Sequence, residues 1–161
     1  MENRILVFDL DDTLIDTSGQ MRSGKEWDDI KRLKLLEGVR GVLNNPNYRK
    51  MLVTKENVPG LQKAKLYEIG IYNLFENVFI CSSCDDKRQY FERIGRMSEG
   101  GNIWAIGDRI DSEIRHANRL GWKTVLMKRG KYKNLEARDY LEVPDYGVND
   151  FFELGNLLYK K

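Results

Sequence analysis

The stretch Arg4–Thr17, RILVFDLDDTLIDT, changes character at a single residue. Arg4–Phe8 is apolar and rich in strand formers, and it ends abruptly in the acids Asp9, Asp11 and Asp12. A short apolar run without polar alternation fits a strand covered on both faces, as in a parallel sheet. The same pattern recurs along the chain. Lys50–Val53 precedes the polar Thr54-Lys55-Glu56-Asn57, Val78–Cys81 follows, Ile103–Ile106 runs into Gly107-Asp108, and Thr124–Met127 closes the series. Helical spacing fills the intervals: Trp27–Leu43, Leu61–Ile69 closed by Gly70, Lys87–Met97, Ser112–Leu120 closed by Gly121, and a last stretch over Phe151–Tyr159. Strands alternating with helices, each crossover long enough for a parallel connection, predict a three-layer α/β/α fold on a Rossmann-like parallel sheet.

The 161 residues suit a single domain over residues 1–161, with room to bury a core. Basic and acidic side chains number 27 and 25, for a net charge of +2, and the two signs are interspersed. Such a balance gives no basic footprint, so nucleic acid and anionic membranes are not the expected partners. Nothing approaches ~20 consecutive apolar residues, and MENRILVFDLDD begins as a strand followed by acids rather than a leader. The expectation is a soluble, cytoplasmic protein. The single histidine, His116, excludes a two-histidine metal site within one chain and is expected to face the surroundings of its helix. Two cysteines, Cys81 and Cys84 in CSSC, are too few for a four-cysteine zinc site and read as reduced thiols. The basic stretch MKRGKYKN, Met127–Asn134, reads as a solvated loop because acids follow it.

In open parallel sheets ligands bind at the carboxyl ends of strands, so the residues just past each strand are where chemistry is sought. There the chain places Asp9, Asp11 and Asp12, then Thr54, then Asp108 with Asp111 and Glu113 behind it, while Lys87 opens the helix after the third strand. Clustered carboxylates raise one another's pKa unless a cation joins them, and Mg²⁺ with oxygen ligands answers that need. A threonine hydroxyl and a lysine suit phosphoryl oxygens. Together these groups describe phosphoryl transfer. A simple capped turn is the blander account of Asp-Asp-Thr, but it leaves the rest of the set unexplained. An EF-hand fails, because Leu14 and Gln20 stand where glycine and glutamate are needed.

FDLDDTLIDT (Phe8–Thr17), LVTKEN around Thr54, Lys87, and IGDRIDSEIRHANRLG (Ile106–Gly121) resemble, in order, the four motifs of the haloacid dehalogenase-like hydrolase superfamily. LLEGVRGVL (Leu35–Leu43) is similar to the helix these proteins place before the second strand. The resemblance covers roughly Arg4 to Met127. It implies that Asp9 is the nucleophile that becomes an aspartyl-phosphate and that Asp11 is the general acid, then base. It implies that Thr54 and Lys87 hold the phosphoryl group, and that Asp9, Asp11 (through its carbonyl) and Asp108 bind Mg²⁺; Lys55, beside Thr54, is a further candidate for phosphate and substrate contact. Asp11 favours a phosphatase, since the dehalogenase and ATPase branches carry other residues there. Many relatives have a second aspartate where this chain has Glu113. Asp111 is taken as the supporting ligand ahead of Glu113.

Relatives acting on small metabolites usually insert a cap between the first motif and the next helix, or between the second and third motifs. Here residues 15–34 leave room only for a flap, about residues 13–27, and residues 55–86 are consumed by one helix and one strand. The expectation is no cap or a minimal one, with an open site for a bulky or macromolecular phosphorylated substrate, or one closed by a second copy of the chain. Candidate substrate contacts are Arg22, Lys25 and Trp27 on the flap, Glu56 after Thr54, and Arg109 beside Asp108, each equally readable as an ordinary surface or core residue. Trp27 in particular reads as the first core residue of its helix. Competing functions are a phosphoacceptor switch of the receiver-domain kind, a binding protein that kept the fold without turnover, and a phosphotransferase or phosphomutase using the same intermediate.

Overall fold

A computed structural model describes residues 4–82, 84–98 and 100–160, with the backbone alone for residues 84–86. Alternation within the first strand, β1 (Arg4–Phe8), sets up two cores. Leu6 and Phe8 pack into one cluster and Ile5 and Val7 into another, as the period of a strand requires. β1 is followed by α1 (Thr17–Gln20), α2 (Glu26–Asp29), α3 (Val39–Leu43) and β2 (Tyr48–Lys55). Then come α4 (Leu61–Glu68), β3 (Asn77–Cys81), α5 (Cys84–Met97) and β4 (Ile103–Gly107). A wide π-type turn (Ile110–Ile114) leads into α6 (Arg115–Arg119), and β5 (Lys123–Met127), β6 (Tyr146–Val148) and α7 (Phe151–Lys160) complete the order.

The strands form one parallel sheet in the order β3-β2-β1-β4-β5-β6. Helices α3, α4 and α7 contribute to the Leu6/Phe8 cluster, and α5 and α6 to the Ile5/Val7 cluster, giving the three layers expected. On α7 the buried residues Phe151, Leu154 and Leu158 recur at helical spacing and face the sheet. Phe8 lies beside Phe75 and Phe151, with ring centroids 6.5 and 6.3 Å away. It therefore anchors the last strand residue before Asp9 in aromatic packing. After β3 the chain returns to the other side of β1 to form β4. The switch in strand order thus falls between β1 and β4, where a crevice opens at the carboxyl ends.

The helix expected over Trp27–Leu43 is broken. α2 passes into a 3₁₀ turn at Ile30–Arg32, Leu33 is extended, and Leu35 bridges Ile15. Gly38 then adopts φ +84° to start α3, and a Cβ there would stand 3.0 Å from that of Phe151. Apolar spacing continued through the break because Ile30, Leu33, Val39 and Leu43 all reach the core from different elements. Trp27, expected in that core, is 52% exposed. The buried residue of α2 is instead Asp29, which takes hydrogen bonds from the Arg22 side chain at 2.6 and 2.9 Å. The helix expected over Ser112–Leu120 is likewise the π-type turn followed by α6. β6 escaped the sequence reading because three residues of an edge strand carry too little pattern. Among the described residues no helix is long and apolar enough to cross a membrane.

Replacing Phe8 with alanine removes a fully buried ring at the strand end. It is expected to cost about 3–5 kcal/mol and lower the melting temperature by on the order of 10 °C in a circular-dichroism melt.

Candidate active site

β1 delivers Asp9 to the centre of the carboxyl edge, where its backbone N–H continues the ladder to Ile106 O at 3.1 Å. Thr54 reaches the same edge from within β2, and Asp108 from the residue after β4. Lys87 comes from the first turns of α5 and is buried. Its Nζ donates to Asp9 Oδ1 at 3.0 Å and to Glu113 Oε1. Asp9, Asp108 and Glu113 are all buried and offer carboxylate oxygens within 4.8 Å of one another.

Glu113 enters this group because of Gly107. A Cβ at Gly107 would stand 2.6 Å from Glu113 Cγ, so only glycine lets the π-type turn fold the glutamate back against the strand end. The Arg109 N–H donates to Glu113 Oε2 at 3.3 Å and helps hold it there. The preference for Asp111 is therefore reversed in position. Asp111 turns outward and is held by Arg109 through two bonds of 2.9 Å, which keep its carboxyl below the usual range. The two acids stand two residues apart within this five-residue widened turn yet point in different directions, and sequence spacing carries no trace of that widening.

Electrostatics follow from packing three acids around one ammonium. Burial pushes the Asp9 carboxyl up to about 7, against the pull of Lys87 and reinforced by the charges of Glu113 and Asp11. Burial, then Asp9 and Glu113, push Asp108 up to about 9. For Lys87 burial works against the charge, but Asp9 and Glu113 outweigh it and hold the ammonium firmly protonated. The excess of buried negative charge is the condition under which a hard divalent cation binds, and the donor set is oxygen throughout. Asp9, Asp108 and Glu113 thus fit Mg²⁺.

Asp11 stands apart from the cluster, with its side chain 32% exposed toward the cleft. Thr17 Oγ1 and Lys65 Nζ donate to its Oδ1 at 2.5 and 2.8 Å, and Gln62 Nε2 donates to its Oδ2 at 2.8 Å. Gln62 Nε2 also donates to Thr54 Oγ1 at 2.7 Å. Neither Gln62 nor Lys65 was singled out from the sequence. The available signal was a lysine four residues from both Leu61 and Ile69, inside the apolar stripe of its helix. Asp12, at φ +55°, bends the chain and accepts from the Ser18 N–H at 2.9 Å and from the Ser18 hydroxyl, bracing the flap.

A cleft of about 540 Å³ opens over these groups and is lined by Asp9, Asp11, Thr54, Lys87, Asp108 and Glu113, among others. Of the candidate substrate contacts, Arg22, Lys55, Glu56 and Arg109 line it, whereas Lys25 and Trp27 do not. Glu56 also serves the start of α4, accepting from the N–H groups of Gly60 and Gln62 at 3.3 and 3.4 Å. The basic stretch after β5 is more than a solvated loop. Lys131 and Tyr132 form part of the cleft wall, and the Arg109 guanidinium lies 4.2 Å from the Tyr132 ring centre. Arg129 pairs with Asp16 on the flap at 3.2 Å. His116 faces Phe91 edge-on outside the cleft, and burial lowers its pKa. Cys81 is buried with its thiol 3.2 Å from Thr54 O, while the side chain of Cys84 lies outside the described residues.

Asp9, Thr54, Lys87 and Asp108, one from each of the four motif stretches, thus line one cleft. The family model for HAD-hydrolase-like proteins matches residues 87–154. A glyceraldehyde 3-phosphate phosphatase of Methanopyrus kandleri is 34% identical over 95 residues, covering 55% of this chain and 40% of that protein. Its namesake in Methanocaldococcus jannaschii is 31% identical over 104 residues, covering 60% and 43%. A solved HAD-hydrolase of Bacillus subtilis bound to magnesium superposes with a TM-score of 0.72 at 15% identity, over 99% of this chain and 100% of that one. The chain is therefore similar to HAD-hydrolase-like proteins in sequence over residues 87–154 and shares their fold. It spans about two-fifths of the length of the first two phosphatases.

Asp108 supplies a test of the electrostatics. A carboxyl raised above its unfolded value contributes stability at low pH that is lost as pH rises, here through about 9. Asparagine suffers no such loss. In EDTA, Asp108→Asn is expected to melt above the wild type by roughly 2–4 °C, about 1 kcal/mol, with the gap widening from about pH 6 to about pH 9.

Proposed function

We propose that the chain is a Mg²⁺-dependent phosphomonoester hydrolase that works through an aspartyl-phosphate on Asp9. The observation that carries this reading is the Asp9 carboxylate at the carboxyl end of β1, bonded to the buried Lys87, with Thr54, Asp11 and two further buried acids around one cleft. In the first step an Asp9 oxygen forms a bond to phosphorus while the bond to the ester oxygen breaks, and Asp11 hands a proton to the departing alcohol. In the second, Asp11 takes a proton from water as the water oxygen bonds to phosphorus, and Asp9 is released with inorganic phosphate. Lys87 and Thr54 offer an ammonium and a hydroxyl to the phosphoryl oxygens throughout, with Lys55 at the cleft edge. Mg²⁺, held by Asp9, Asp108 and the Asp11 carbonyl with Glu113 in support, would supply positive charge between the carboxylates and the phosphoryl group.

The site reads as uncapped. Two four-residue helices and a 3₁₀ turn occupy the interval between β1 and α3, and α4 with a 3₁₀ turn occupies that between β2 and β3. The flap, braced by Asp12–Ser18, Asp16–Arg129 and Asp29–Arg22, stands where a lid would be. A cleft of this openness suits a bulky phosphorylated substrate, and a second copy of the chain could close it. The curated relatives are named for glyceraldehyde 3-phosphate, which makes that triose phosphate the first small substrate to compare with phosphopeptides. A reducing, cytoplasmic setting fits the buried thiol of Cys81.

Hydrolysis of p-nitrophenyl phosphate, glyceraldehyde 3-phosphate and phosphopeptides tests the reading, with Mg²⁺ and with EDTA. Turnover is expected only with the metal, and Asp9→Asn is expected to lower it by at least about 10³-fold. Mg²⁺-independent turnover, or an Asp9→Asn protein as active as the wild type, counts against it; a protein inert toward all three fits a binding role.

A further inference from the structure

Two buried polar side chains in the cleft take no part in the steps above. Lys65 is 3% exposed and Gln62 1%, one helical turn apart on the face of α4 that meets the strand ends. A lysine ordinarily extends its ammonium to water, so one buried in an apolar stripe needs a specific partner. That partner is Asp11, 2.8 Å from its Nζ. We propose that Lys65 and Gln62 are positioning residues for Asp11, an inference that rests on the hydrolase reading.

The argument is geometric. Asp11 is not fixed by packing, since about a third of its side chain faces the open cleft. Its carboxylate is fixed instead by donors on both oxygens: Thr17 and Lys65 on Oδ1, Gln62 on Oδ2. Gln62 spends both protons of one amide nitrogen, one on Asp11 and one on Thr54 Oγ1 at 2.7 Å. The group that exchanges the proton is thereby held in register with the hydroxyl that faces the phosphoryl oxygens. Proton transfer demands hydrogen-bond geometry at the leaving oxygen, and misplacement by about 1 Å can cost two orders of magnitude. A bond to α4 also ties Asp11 to the element that follows Thr54, so β1 and β2 present their two groups together. A purely structural role for Lys65 predicts something different: a lower melting temperature with unchanged turnover per folded molecule.

Lys65→Met and Gln62→Leu are measured in the full chain with p-nitrophenyl phosphate and Mg²⁺. Each is expected to lower kcat roughly 10- to 100-fold, with KM and the inhibition constant of inorganic phosphate changed less than about threefold. Lys65→Arg, which keeps the charge and the reach, is expected to recover most of the loss. In an Asp11→Asn background, Lys65→Met is expected to add no further loss, because the group it positions has gone. Melting curves identify the folded fraction of each variant. Wild-type kcat in folded Lys65→Met, or a full additive loss in the Asp11→Asn background, overturns the proposal while leaving the hydrolase reading intact. A wild-type protein without metal-dependent turnover overturns both.

Discussion

The ammonium of Lys87 is the fixed point of this molecule. It is buried at the carboxyl edge of the sheet and bonded to Asp9 and Glu113, which arrive from β1 and from the turn after β4. A lysine can be kept in such a place only if carboxylates surround it, and carboxylates can be crowded there only if a cation stands among them. One ammonium does not balance Asp9, Asp108 and Glu113, so burial and mutual repulsion raise Asp9 and Asp108 well above ordinary carboxyls. The site is thus left short of positive charge in a defined spot. This deficit is the feature that favours a divalent cation there, and the Lys87 ammonium and Thr54 hydroxyl line the same cleft.

Sheet topology is what makes the convergence affordable. Parallel strands pointing the same way collect their carboxyl ends on one edge, and the order β2-β1-β4 places the central strand between the two that carry Thr54 and Asp108. Asp9, Thr54 and Asp108 therefore sit within one residue of a strand end, and Lys87 in the first turns of α5. Rigid elements on both sides, rather than loops, fix the distances. The flap is tied down by carboxylate contacts: Asp12 to Ser18, Asp29 to Arg22, Asp16 to Arg129.

Much of this was legible in the sequence because strand ends announce themselves. RILVF stops at Asp9, MLV at Thr54 and IWAI at Gly107-Asp108, and an apolar run that ends in a polar residue needs no tertiary information to be seen. The misreadings share a different cause. Asp111 and Glu113 both follow Asp108, and only the widened turn, licensed by the missing side chain at Gly107, decides which of them faces inward. Trp27–Leu43 keeps helical spacing through a break imposed by Gly38 and by the buried Asp29. Gln62 and Lys65 were passed over because polar residues on a helix are solvated by default, and their burial depends on Asp11, distant in sequence. Periodicity reports which face is covered; it does not report what polar group waits on the other side.

Asp9 and Asp11 show how two carboxylates so near in sequence can be given opposite settings. Asp9 is packed away, 7% exposed, with an ammonium against it; its burial resists ionisation, and the Lys87 ammonium offsets only part of that. On the proposed mechanism that arrangement suits the attacking carboxylate, since desolvation strips it of water that would compete with phosphorus. Asp11 faces the cleft and owes its orientation to donors from the flap and α4 rather than to burial. The acid–base role proposed for Asp11 needs access to the cleft, and access removes the packing that would hold the side chain still. Hydrogen bonds from Thr17 and from the buried Gln62 and Lys65 satisfy both demands. The Leu10 side chain between the two acids is fully buried and the Asp12 backbone is bent to φ +55°, so the chain turns within these few residues from a packed strand to an open rim. The contrast between a packed carboxylate and an accessible one is therefore set by the backbone of these few residues.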